Sequence, residues 1–163
     1  MRDHPKQKVA VILERHAGEG RWDIPHWELL GVVPDVGGEA RTIVEGGGRL
    51  QRLFPGFELT LFPDEAEGYY LNASSEAPSV FVSIRVDEAS GETAPFQATL
   101  SYNEAARWMD GGSRVERAVA WIELAAWMGQ WVEDNYRPEP KRRQKPRSFE
   151  GKEGKLRKEG SST

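Results

Sequence analysis

Histidine is the side chain best suited to moving protons or holding a metal near neutral pH, and this chain has three: His4, His16 and His26. His16 and His26 flank one short stretch, with Glu14, Glu19, Asp23 and Glu28 close by. A hairpin there brings the two imidazoles together, but carboxylates would have to complete any metal shell. There is no His-x-x-x-His pair to set two ligands on one helix face, so no metal or cofactor is expected. Polar loop residues explain the same composition. The surrounding stretch RWDIPHWELLGVVP, residues 21–34, places Trp22 and Trp27 around His26. Trp27 opens a strand and is expected in the core, on one face with Leu29 and Gly31 and opposite Glu28, Leu30 and Val32. Trp22 precedes Pro25, where a loop must fold back. Trp22 and His26 are therefore the first candidates for a partner-binding surface.

Other chemistries find less support. The absence of cysteine removes disulfides, thiolate nucleophiles and every cysteine-ligated metal site. No Gly-x-Ser-x-Gly elbow is present, and Ser74, Ser75, Ser79 and Ser83 have no histidine near them in sequence. Asp64-Glu65 and Asp87-Glu88 sit beside turn residues, as solvated carboxylates do. Gly46-Gly47-Gly48 is followed by strand-like RLQRLF rather than by the helix a phosphate loop must open. A hairpin turn is the expectation there. Gly151 to Lys155 lacks the spacing and the Ser/Thr of a nucleotide loop. No catalytic residue is assigned.

The elements that must position these groups are mostly strands. VAVIL within residues 8–15 reads as a central strand, and WELLGVV, stopped by Pro34, as its hairpin partner. ARTIVEGGGRLQRLF reads as two short strands about the glycine triplet, followed by FELTLF and then EGYYLNA as further strands of a meander. In SVFVSIRV, alternation puts Val80, Val82, Ile84 and Val86 on a buried face and Phe81, Ser83 and Arg85 on a mainly polar one. ETAPFQATLSY continues the pattern. Asn103 is expected to cap a short helix, NEAARWMDGG. SRVERA could open an edge strand or the next helix. Residues 118–136 form a helix with Trp121, Leu124, Ala125, Met128, Trp131 and Val132 on one face. Trp127 flanks that stripe; a core role outweighs a binding one, but it remains a candidate for partner contact.

Charge divides the chain. Residues 1–136 hold 12 basic and 22 acidic side chains, net −10, whereas residues 137–163 hold 10 and 4, net +6. The second segment is dense in charge, Pro, Gly and Ser and is expected to be a disordered basic tail. It could contact nucleic acid, an anionic membrane or an acidic protein through screened Coulomb attraction, with Lys141, Arg142 and Arg143 as candidate contacts. The acidic body argues against a dedicated, specific nucleic-acid-binding domain. VAVIL is too short for a signal peptide or a membrane span, so a cytoplasmic location is expected.

VAVILER, the Trp-x4-Trp pair before WELLGVVP, EGYYLN, PSVFVSIR, SYNEAARWMDGG and a Trp-rich last helix with a basic tail together resemble a proteobacterial domain family of unknown function. Its genes tend to lie beside those for molybdenum-dependent formate dehydrogenase and its maturation factors. The similarity covers about residues 8–136. It implies a context, assembly or function of that enzyme, and transfers no active-site residue.

The expectation is an α+β fold: one domain, residues 1–136, with a twisted antiparallel sheet or partly open barrel of about seven strands packed by the C-terminal helix, and a disordered tail, 137–163. The expected function is a non-catalytic accessory module binding a protein partner, an oxidoreductase subunit or maturation factor. A small-ligand or cofactor carrier is the alternative, and a small hydrolase or transferase the third. The sequence leaves the oligomeric state open.

Overall fold

The computed structural model describes residues 3–16 and 26–138. Seven strands and three α-helices follow in the order β1 (Lys6–His16), β2 (His26–Pro34), β3 (Arg41–Gly46), β4 (Arg49–Thr60), α1 (Ala66–Ala73), β5 (Ser79–Val86), β6 (Thr93–Thr99), α2 (Tyr102–Asp110), β7 (Arg114–Val119) and α3 (Ile122–Asn135). The fold is α+β, as its sequence pattern implies. The strands form two antiparallel sheets, ordered β2-β1-β4-β3 and β6-β5-β7.

The sheets meet along two seams without ladder pairing, β2 against β7 and β4 against β6. Side chains bridge the first seam: the Leu29 N–H donates to Glu116 Oε1 at 2.8 Å, and Arg114 donates to the Trp27 carbonyl. The core between the elements gathers Val9, Val11 and Leu13 of β1 with Val80, Val82 and Ile84 of β5. α3 adds Leu124, Met128 and Val132 and lies against α1. Each such buried side chain contributes about 1.5–3 kcal/mol of hydrophobic stabilisation.

β1 is the central strand its apolar run implies, since Val9, Ala10 and Val11 are all fully buried between β2 and β4. Gly47 and Gly48, with φ of 61° and 79°, form the two-residue turn of the β3–β4 hairpin, a left-handed conformation open to glycine at no steric cost.

Several elements differ from the pattern reading. RLQRLF and FELTLF are one strand, β4; the Pro55-Gly56 irregularity is absorbed as a register shift against β1 between Val9 and Val11. In β2 the strict alternation breaks, because the register slips between Ile12 and Leu13 and leaves Leu30 as the extra, exposed residue. Trp27 and Leu29 therefore share the core side with buried Val32. In β5 both faces are buried from Ser79 to Ile84, Phe81 and Ser83 included, because the strand is central and α2 lies against it.

EGYYLNA is a helix, α1, led in by a 3₁₀ turn over Pro63–Glu65. α2 is capped by Ser101, whose hydroxyl accepts from the Glu104 N–H at 3.0 Å; Asn103 lies inside the first turn. Ala118 and Val119 belong to β7, paired with Val80 and Ser79, so the last helix begins only at Ile122.

Candidate functional site

The β1–β2–β4 register places Glu14 across from Glu28 and Gln51, and His16 across from His26 and Arg49. Two like charges and two imidazoles thus face each other across one strand pair, an arrangement that costs stability unless each group is compensated. Compensation is local. Glu14 is buried; its Oε2 accepts from Gln51 Nε2 at 2.7 Å and from Arg49 Nε at 3.0 Å, and its Oε1 lies 3.0 Å from His16 Nε2. His26 Nε2 lies 3.2 Å from Glu28 Oε2, and the two imidazole centroids are 6.4 Å apart.

The Gln51 hydrogen bond, with the hydrogen bond and charge of Arg49 and the charge of His16, holds the Glu14 carboxyl below its ordinary value against the opposing effect of burial. Glu14 is therefore a fixed anion that ties β1 to β4. Among the described residues, no group of three or more His, Asp or Glu has the geometry to hold a metal.

Of the residues singled out by sequence, His26 takes part in this polar row. Trp22 lies outside the described residues. Trp27 is half-buried against the core, with the Arg15 guanidinium carbon 5.7 Å from its ring centroid. Trp127 also packs against the core cluster, so His26 and Trp127 enter different surroundings. Lys141, Arg142 and Arg143 lie outside the described residues.

A second feature escaped the sequence reading. α1 and α3 diverge around an open groove of about 380 Å³, lined by apolar Tyr70, Ala73, Val132 and Tyr136, with Gly129 in its wall and Glu133 and Arg137 at its rim. Tyr70 and Tyr136 pack with centroids 5.3 Å apart, and Tyr69 meets Trp131 edge to face at 5.5 Å. Pro138, the last described residue, also lines the groove. Once EGYYLNA is read as a strand, Tyr70 has no route to α3. The signal that could have found it is PDEA, a proline followed by acidic residues at a helix start.

The architecture is that of a two-sheet α+β module whose buried polar groups tie its elements together. The chain belongs to the family described as Protein of unknown function (DUF3305), whose model matches residues 8–145. No curated protein and no solved structure matches it.

Proposed function

We propose that this protein is a non-catalytic accessory module that docks a protein partner in the α1–α3 groove and assists assembly or function of a molybdenum-dependent formate dehydrogenase in the cytoplasm. The groove carries this reading. Its floor is apolar and aromatic, its rim holds one acidic and one basic side chain, and it opens where the chain runs into its basic segment. Apolar anchors set in a polar rim are the usual energetic centre of a protein interface. The enzyme named as beneficiary rests on the family resemblance of the sequence. No helix among the described residues is long and apolar enough to cross a membrane.

Gly129 provides the test. A Cβ placed there meets nothing within 4 Å, so Gly129→Phe fills the groove without straining the helix. Tagged wild-type protein purified from its native host is expected to bring down a formate dehydrogenase subunit or maturation factor, and Gly129→Phe to lose it while retaining its circular dichroism spectrum. Equal recovery by both proteins would reject the groove as the docking site.

A small-ligand carrier is the second reading, because the groove volume lies within the range of small-molecule sites, roughly 300–1,000 Å³. Binding of a pterin or nucleotide that Gly129→Phe abolishes, with no oxidoreductase partner recovered, would favour it.

A further inference from the structure

We infer that the segment received by the α1–α3 groove is a basic amphipathic helix of the partner, apolar on one face and bearing lysine or arginine beside it. This deepens the docking proposal above and rests on it.

Charge on the two helices that form the groove has one sign. Residues 66–84 and 118–136, which contain α1 and α3, hold five acidic side chains and no lysine or arginine. Both helices also end at the groove: Ala73 and the C-cap Ser74 line it from α1, and Val132, Glu133 and the C-cap Tyr136 from α3. A helix C-terminus carries the negative end of the aligned peptide dipoles and is stabilised by a cation beside its last turn. Neither last turn contains a basic residue, and α3 places Glu133 and Asp134 there instead.

Arg137 shows what the end of α3 accepts. Its Nη1 donates to the Glu133 carbonyl at 2.7 Å, so the guanidinium at the rim sits on the helix end, while Glu133 itself is exposed. A lysine or arginine arriving from outside meets the Glu133 carboxylate and the second helix end, at Ala73 and Ser74, which has no basic residue in its last turn.

The floor fixes the rest of the occupant. Tyr70, Ala73, Val132 and Tyr136 call for apolar anchors. The two walls are helices, whose backbone groups are hydrogen-bonded internally, so an extended strand finds no open edge to pair with. Tyr70 and Tyr136 pack with centroids 5.3 Å apart, too close for a proline ring to slot between them. Anchors at helical spacing are the mode that suits a groove between two helices. The chain's own basic segment supplies few of them: residues 139–163 contain two large apolar side chains, Phe149 and Leu156, and Gly151 and Gly154 between them weaken a helix.

The test is fluorescence anisotropy of the full chain with two dye-labelled peptides of about 18 residues, long enough to hold a helix. Both carry the same leucine face, with lysine on the other face of one and glutamate on that of the second. The lysine peptide is expected to bind saturably and at least about tenfold more tightly than the glutamate peptide. Gly129→Phe, which leaves every charge in place, is expected to lose that binding, and Glu133→Gln to weaken it by at least about threefold. No saturable binding of the lysine peptide, or equal affinity for the two, would overturn the basic helix and leave the groove to its own co-purification test. Lysine-peptide binding undiminished in Gly129→Phe would mean general attraction to an acidic body and would overturn the groove as its seat. A spin label on Ser148→Cys that broadens the Gly129 amide NMR signal, unrelieved by the lysine peptide, would make the chain's own basic segment the occupant and overturn a partner there.

Discussion

Asn72 treats Ser79 as a strand would: its Oδ1 accepts from the Ser79 N–H at 2.9 Å and its Nδ2 donates back to the Ser79 carbonyl at 2.7 Å. The same Nδ2 reaches the Leu100 carbonyl at 2.8 Å, so one fully buried side chain joins α1, the start of β5 and the residue that follows β6. Asn72→Ala leaves at least the Ser79 N–H and the Leu100 carbonyl short of a partner in a dry interior. The expected loss is about 3 kcal/mol, since each buried group left unsatisfied costs about 1–3 kcal/mol. Urea unfolding checks it. Asn72→Asp, which keeps the acceptor and loses both donors, should be at least as damaging, whereas a change under about 0.5 kcal/mol would show the bonds to be dispensable.

Glu14 gives the acid limb of stability a specific origin. Its folded-state carboxyl titrates below the ordinary value of 4.5, principally through Gln51 and then Arg49. A depressed carboxylate stabilises the fold in full above the unfolded-state value, and that stability is lost as pH falls through the folded-state value. Unfolding free energy should therefore drop as pH falls from about 4.5 downward, and Glu14→Gln should flatten that part of the profile. Chemical denaturation at a series of acidic pH values measures this; an acid limb of unchanged slope in Glu14→Gln would assign the dependence to other carboxylates.

These two residues also mark what sequence can and cannot disclose. The β1–β2 hairpin and the facing of His16 and His26 were legible, because a period of two and a proline stop are local signals. Asn72 was not: its role depends on Ser79 and Leu100, which only the tertiary fold brings near. Alternation misled in EGYYLNA, where seven residues are too few to separate a period of two from the helical pair Tyr69 and Asn72, three apart and both buried. Helical periodicity misled in the opposite sense at Ala118 and Val119, where pairing with β5 overrode it. Of the candidate site, the polar row was visible as composition, while the groove needed α1 as a helix before Tyr70 could meet Tyr136.

Tyr69 extends the same linkage to the alkaline side. Its hydroxyl accepts from the Phe62 N–H and donates to the Thr60 carbonyl, both at 3.0 Å, and burial pushes its pKa up to about 12, with Glu104 and Glu65 adding to the rise. A raised phenol leaves stability intact below the unfolded-state value near 10 and removes it as pH climbs toward 12. Absorbance at the tyrosinate band should show one phenol ionising near 12. Tyr69→Phe should lose that component and destabilise the fold at neutral pH by about 1–3 kcal/mol, because the Phe62 N–H and Thr60 carbonyl lose their partner. A variant that keeps the late-ionising phenol would place it on another tyrosine.

Gly68 and Gly129 are both helical glycines, yet their surroundings predict opposite outcomes. A Cβ on Gly68 would stand 2.1 Å from Ser101 Oγ and 3.1 Å from the Asn103 backbone nitrogen. Ser101 is not free to yield, since its hydroxyl donates to Glu65 Oε1 at 2.6 Å while accepting the α2 capping bond from Glu104. Gly68→Ala must push α2 away from α1 and should destabilise by about 1–3 kcal/mol, the usual cost of overpacking. Gly129 faces open space, so Gly129→Ala should gain about 0.5–1 kcal/mol by reducing the freedom of the unfolded chain and favouring the helix. Paired urea midpoints decide it: if both alanines shift stability in the same direction, helix propensity alone governs these positions and the close α1–α2 approach at Gly68 carries no energetic weight.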